Sequence, residues 1–154
     1  MYTLLLQFHS LFRWLVLFAL LLALFRSFTG YYKQTVFTKT DNAIRHWTAT
    51  LSHIQLVIGM LLYTQSPFVT YFYDTYKTDK LTIEALFFGA IHIVLMFFAI
   101  IFISIGSAKA KRVTADRDKF KTMLVWFFIA LVIIFIAIPW PFSPLANRPL
   151  LRPF

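Results

Sequence analysis

MLVWFFIALVIIFIAI, residues 123–138, runs for sixteen residues without a charge. A helix needs about 20 apolar residues to cross the hydrocarbon core of a bilayer. This run reaches that length only by borrowing Phe120 on one side and Trp140 and Phe142 on the other, aromatics suited to the membrane interface. Three comparable runs precede it. Residues 4–25 are interrupted by Gln7, His9, Ser10 and Arg13; residues 47–64 hold His53 and Gln55; residues 81–105 hold Glu84 and His92. Hydrophobic residues make up 60% of the 154-residue chain and aromatics 19%, 19 of them Phe. A soluble domain of this size has too much surface for its volume to hide so much apolar side chain. The pattern predicts an all-α four-helix transmembrane bundle. It forms a single integral membrane domain over 1–154, with helices at about 3–28, 43–65, 81–107 and 119–139 and a proline-rich tail over 139–154.

The first run lacks a basic leader, is too long for a signal h-region and is followed by no clean small-residue cleavage site, so it reads as a retained helix. Cysteine is absent, which excludes disulfides, thiolate metal sites and covalent haem attachment. Gly30 suits the end of helix 1, Asp41 or Asn42 the start of helix 2, and Thr82 the start of helix 3. Pro67 ends helix 2. The tyrosine-rich segment 68–80 reads as an interfacial layer or a lid.

The net charge of +9 is concentrated at one end. Arg26, Lys33, Lys39 and Arg45 lie between helices 1 and 2. Lys109, Lys111, Arg112, Arg117, Lys119 and Lys121 lie between helices 3 and 4. The loop between helices 2 and 3 sets only Lys77 and Lys80 against Asp74, Asp79 and Glu84. This positive-inside bias places the two basic loops in the cytoplasm and both termini on the outer, periplasmic side. Arg148 and Arg152 in the tail oppose it weakly. Basic residues so distributed meet lipid headgroups, not nucleic acid.

Four histidines remain. His46, beside Arg45 and Trp47, reads as interfacial. The others sit within the apolar runs, where ionisable groups face the bundle interior and carry function. Counting ~1.5 Å per residue, His53 lies ~18 Å below the outer surface, His92 ~16 Å and His9 ~10 Å. His53 and His92 therefore read as level on antiparallel neighbours. Ala85, Gly89, His92, Met96 and Ala99 share a face of helix 3. Ala49, Thr50, His53, Val57 and Met60 share one on helix 2, and His9 and Arg13 one on helix 1.

Two imidazoles at one depth suit the opposite axial positions of a haem iron held between helices of a bundle. His53 and His92 are the predicted ligands; the pairings His9–His92 and His9–His53 stay open if helix 1 tilts. Arg13 costs ~2.5–3.5 kcal/mol near a helix centre and needs an anion, either a haem propionate or Glu84. The plainer reading makes His53 and His92 polar contacts to Thr50, Ser52 or Gln55, and lets Arg13 snorkel. Copper passage through His9, Met60 and Met96 is a third reading, short of the dense Met/His clusters that Cu(I) favours.

HSLFRW at 9–14, SHIQLVIGMLLY at 52–63, His92, IGSAKAKR at 105–112 and IPWPF at 138–142 together resemble small four-helix bacterial membrane proteins known as cytochrome b-like. The resemblance runs along nearly the whole chain. It implies b-type haem in the bacterial inner membrane and electron transfer with a quinone or a larger respiratory complex. Two-haem cytochromes b carry histidines about four turns apart on one helix, whereas His46 and His53 are two turns apart, so one haem is expected. The resulting expectation is a multi-pass b-type cytochrome with one bis-histidine haem, an electron-transfer component and not a stand-alone enzyme. The alternative is an accessory subunit without redox function that packs into a larger membrane complex.

Overall fold

A computed structural model of the protein describes residues 1–150, and Arg152 and the rest of the predicted tail beyond them lie outside the described residues. Every regular element among the described residues is helical. The long helices are α1 (Tyr2–Lys33), α2 (Lys39–Thr64), α5 (His92–Arg112) and α6 (Asp116–Ala137). A short α3 (Pro67–Thr75) follows α2. Short α4 (Ile83–Leu86) runs through a π turn (Phe87–Ile91) straight into α5. Three rods are long and apolar enough to cross a membrane: Tyr2–Lys33, Ile83–Arg112 and Asp116–Ala137. α2 has the length, but its hydroxyls, His53 and Gln55 make it more polar than the other three.

Neighbours in the bundle follow a ring. α1 packs on α2 and α6, and α5 packs on the same two helices from the other side. The outward faces are apolar: Phe18, Phe25, Phe97, Phe128 and Phe135 are all exposed. Small and hydroxyl-bearing residues turn inward, with Ser27, Thr48, Ser52 and Ser107 buried. That inside-out distribution is stable only where the surrounding solvent is hydrocarbon. Most buried hydroxyls donate to the carbonyl one turn back on their own helix, as Ser27 does to Ala23 and Ser52 to Thr48. They thereby remain satisfied without water.

The tight core occupies one half of the bundle. Leu20, Ala23, Ala99, Ile103, Met123, Phe127 and Ala130 interlock there. Small residues let the backbones approach, which drives association in lipid. The other half, toward Tyr2, Tyr63 and α3, is hollow.

Local chemistry moves several element ends from their expected positions. α1 continues past Gly30 to Lys33, because Gly30 faces the Phe120 ring of α6 and leaves it room. The helix stops at Gln34, whose left-handed φ of 53° closes it. α2 starts at Lys39 and not at 43, because Thr38 caps it. The Thr38 hydroxyl accepts from the Asp41 amide, and the Asp41 carboxylate accepts from the Thr38 amide, a reciprocal box that satisfies two end donors. Thr82 caps the third rod as expected, accepting from the Ala85 amide.

The tail is the largest departure. A proline-rich segment favours extended backbone and packs more readily on a neighbour than on itself, but up to Leu150 this one folds back over the hollow end. The Leu150 carbonyl accepts from Arg13 at 2.7 Å and from the Trp14 indole at 3.0 Å. Arg148 pairs with Glu84.

Candidate functional site

The hollow half encloses a cavity of about 580 Å³. Its walls include His9 and Arg13 of α1, Gln55 and Gly59 of α2, and His92 and Met96 of α5. α3 and the tail close the outer end, through Phe68, Arg148 and Pro149 among others.

The end of α6 prepares one side of this space. In a continuing helix, the Phe135 and Ala137 carbonyls would accept from the amides of residues 139 and 141. Both positions are proline and have no N–H to give. Side chains take up the two orphaned carbonyls. The Trp140 indole donates to Phe135 at 2.8 Å, and His92 Nδ1 donates to Ala137 at 2.8 Å. A carbonyl only accepts, so His92 carries its proton on Nδ1. A neutral imidazole in that tautomer holds its lone pair on Nε2. A ring oriented by an Nδ1–H to carbonyl bond is the arrangement typical of metal-binding histidines.

The π turn before His92 serves the same end. The His92 amide bonds back five residues to Phe87 instead of four. The extra residue rotates the following helix by about 100° relative to α4. Phe87 becomes fully buried, with its ring 5.6 Å from that of His92. Gly89 lies against the Phe72 ring of α3, where a side chain has no room. A regular helix would set Phe87 opposite the stripe of Ala85, Gly89 and His92; the π turn brings it inward.

His9 and His92 both line the cavity and stand edge to face. Their ring centroids are 6.4 Å apart, with planes at 70°. The His9 carbonyl accepts from Gln55 Nε2 at 3.0 Å, which ties α1 to α2 at this level. His9 Nδ1 and Gln55 Oε1 are buried without a hydrogen-bond partner among the described residues. Gly59 makes the space for the His9 ring, since a Cβ there would meet His9 Cε1 at 3.1 Å. Buried polar atoms without partners are rare and costly, and each calls for a partner such as a water, an ion or another ligand.

His53 is not part of this constellation. It is exposed on the outside of α2 and pairs with the Ser104 hydroxyl at 2.9 Å. The predicted equal depth of His53 and His92 fails for a geometric reason. The Tyr63 hydroxyl donates to the Gly89 carbonyl at 2.7 Å, so these two residues set the common level of the two helices. His53 lies ten residues inward of that level and His92 only three, a difference of ~10 Å. The predicted depths take Gln65, the expected end of helix 2, as level with Leu81, the expected start of helix 3. The third rod in fact begins well above the end of α2, and α3 crosses the gap.

Arg13 does line the cavity, as its shared face with His9 implied. Its guanidinium also lies 5.2 Å from the Trp14 ring centroid. Glu84 is not its partner, because Arg148 takes that carboxylate and lies 5.1 Å over both Phe68 and Phe88. Met60 and Met96 reach the same cavity. His46 stays at the surface beside Trp47.

No family model, curated protein or solved structure matches this chain. Geometry alone must carry the functional reading.

Gln55, Gly59, Arg148 and the Ala137 carbonyl are site elements that sequence reasoning missed. Gln55 shared the apolar run with His53 and was the readable signal. Arg148 was hidden by the folding-back of the tail, which no local pattern encodes.

Proposed function

We propose that this cavity holds one b-type haem with His9 and His92 as its axial ligands, and that the protein is a membrane electron carrier. The observation that carries the proposal is the facing imidazole pair. Two metal–imidazole bonds of ~2 Å each, plus the distance from each nitrogen to its ring centre, set ring centres roughly 6 Å apart. The observed spacing is 6.4 Å. One ring has its tautomer set by a backbone carbonyl, and the other has a buried nitrogen with no partner. These residues fit the group; His53 does not.

A bound haem supplies reversible one-electron transfer. The chain's own residues do the rest. The Ala137 carbonyl holds the His92 ring in orientation. Leu56, Phe88, Ile93 and Met96 wall the space with apolar groups and exclude water. Arg13 sets positive charge on the cavity wall, where propionates would meet it; Arg148 lines the same wall but is paired with Glu84. Both termini on the outer side, α2 as the fourth span, a bacterial inner membrane, and exchange of electrons with a quinone or a larger respiratory complex complete the reading. The basic loops at the far end support that orientation.

Purification in mild detergent followed by a dithionite-reduced minus oxidised spectrum tests the proposal. A Soret peak and a b-type α-band are expected. His9→Ala and His92→Ala should each abolish them, and His53→Ala should leave them. A flat spectrum from folded, haem-replete protein overturns the proposal. The convergence of Met60 and Met96 with both histidines favours one second reading, a copper site. Stoichiometric copper without a Soret band would identify it. Copurification with large partners and neither cofactor would identify the accessory-subunit alternative.

A further inference from the structure

The opposite end of the bundle carries a separate feature. Phe37, Thr38, Lys39 and Asn42 from the start of α2 meet Ala110 and Lys111 from the end of α5 and Lys119 from the start of α6. Together they line an open cleft of about 290 Å³. Three lysines from three helices converge on it. Two carboxylates lie close: Asp116 accepts from Lys119 at 3.1 Å, and Asp41, bonded to Thr38, is already paired with Arg26. Lys39 and Lys111 have no ion-pair partner among the described residues.

A fourth cation, Arg45, is bonded to the cleft residue Asn42. Arg45 is 6% exposed, and its described acceptors are all neutral. Its Nε and Nη2 bond to Asn42 Oδ1 at 3.1 and 2.9 Å, and its Nη1 bonds to the Ser107 carbonyl at 3.0 Å and to the Ser107 hydroxyl. A buried guanidinium without a carboxylate leaves its charge uncompensated. Asn42 links the two features. Its oxygen is committed to Arg45, so its amide donors remain for the cleft it lines. With Asp41 already paired with Arg26, three lysines and Arg45 face the single Asp116 carboxylate and repel each other, and an anion in the cleft relieves that repulsion.

The cleft sits at the end of the apolar rods, where phospholipid headgroups lie. We propose that it is a phosphate site occupied by the headgroup of an anionic phospholipid, with Lys39, Lys111 and Lys119 contacting the phosphate and Asn42 donating to it. This goes past the general attraction of basic loops to anionic lipid, because it names one site with a defined and saturable occupancy. It stands independently of the haem.

The test is thermal unfolding of the purified full-length protein in detergent with added short-chain phosphatidylglycerol, phosphatidylcholine or sodium phosphate. Phosphatidylglycerol should raise the melting temperature saturably, and phosphatidylcholine should not. The triple variant K39Q/K111Q/K119Q should bind phosphatidylglycerol roughly a hundredfold more weakly. K77Q/K80Q, at the other end, should respond as the wild type does. Lys111→Gln alone, at a residue with no ion-pair partner to lose, should weaken binding in part and guards against a misfolded triple variant. Equal response to both lipids, or an unchanged response in both the triple and the single variant, overturns the proposal. A matching shift with sodium phosphate at the same concentration overturns the lipid as the source, and the site is then one for free phosphate.

Discussion

His92 shows how much one residue depends on atoms far from it in sequence. Its place in an apolar run singles it out, but its tautomer is set by the Ala137 carbonyl, which is open because α6 ends there, with Ile138 extended before Pro139. Gly59 plays a similar role for His9. If the cavity holds haem as proposed, Gly59→Val should push the His9 ring aside and lower haem content about tenfold, while leaving the helical circular dichroism unchanged. Asp41 is the informative titratable residue outside the apolar spans. Burial raises its pKa, but the hydrogen bonds from the Thr38 hydroxyl and amide, with the Arg26 ion pair, outweigh burial and hold it below its ordinary value of 3.8. A carboxylate that ionises more readily in the folded state stabilises the fold fully above its unfolded pKa. That stabilisation is lost as the pH falls through the lower folded value. Asp41→Asn should therefore cost about 2 kcal/mol at neutral pH and almost nothing in strong acid, a convergence measurable by denaturation at both pH values.

At the scale of elements, α2 is the helix that does not stand alone. Polar side chains fasten it on both sides: Thr48 to the Ala19 carbonyl, Gln55 to His9, Arg26 to Asp41, Arg45 to Ser107 and His53 to Ser104. Its lower apolarity is the cost of those fastenings, and its neighbours supply what the bilayer cannot. In a membrane-insertion assay of single helices, α1, α6 and the rod Ile83–Arg112 should insert on their own and α2 should not. The end of α6 makes a second element-scale case. The double variant P139A/P141A restores amides to the Phe135 and Ala137 carbonyls. It should protect both new amides from hydrogen exchange, alter Trp140 fluorescence and reduce haem binding by competing with His92.

The whole molecule divides into a tight half and a hollow half, the hollow one roofed by α3 and the tail. The absence of cysteine makes its orientation directly measurable. A cysteine introduced at Thr78 should react with a membrane-impermeant reagent applied from the periplasmic side, and one at Thr35 should not; the reverse result inverts the bundle. The short helices α3 and α4 and the three strongly apolar rods depart from the four expected helices, but the all-helical character, the long apolar runs and the basic end were legible from sequence. They depend on local composition and on the 3.6-residue repeat, which each segment carries by itself. Which histidines meet was not legible. An error of a few residues in where two antiparallel helices cross the same level moves a side chain by ~10 Å, and neither helix records that offset. The π turn, the Tyr63–Gly89 bond and the returning tail set it jointly. The sequence thus determined that this protein lives in hydrocarbon and which residues are too polar to be there idly. Only the packing decided that His9, not His53, faces His92, because depth and rotation are properties of helices in contact and not of any one of them.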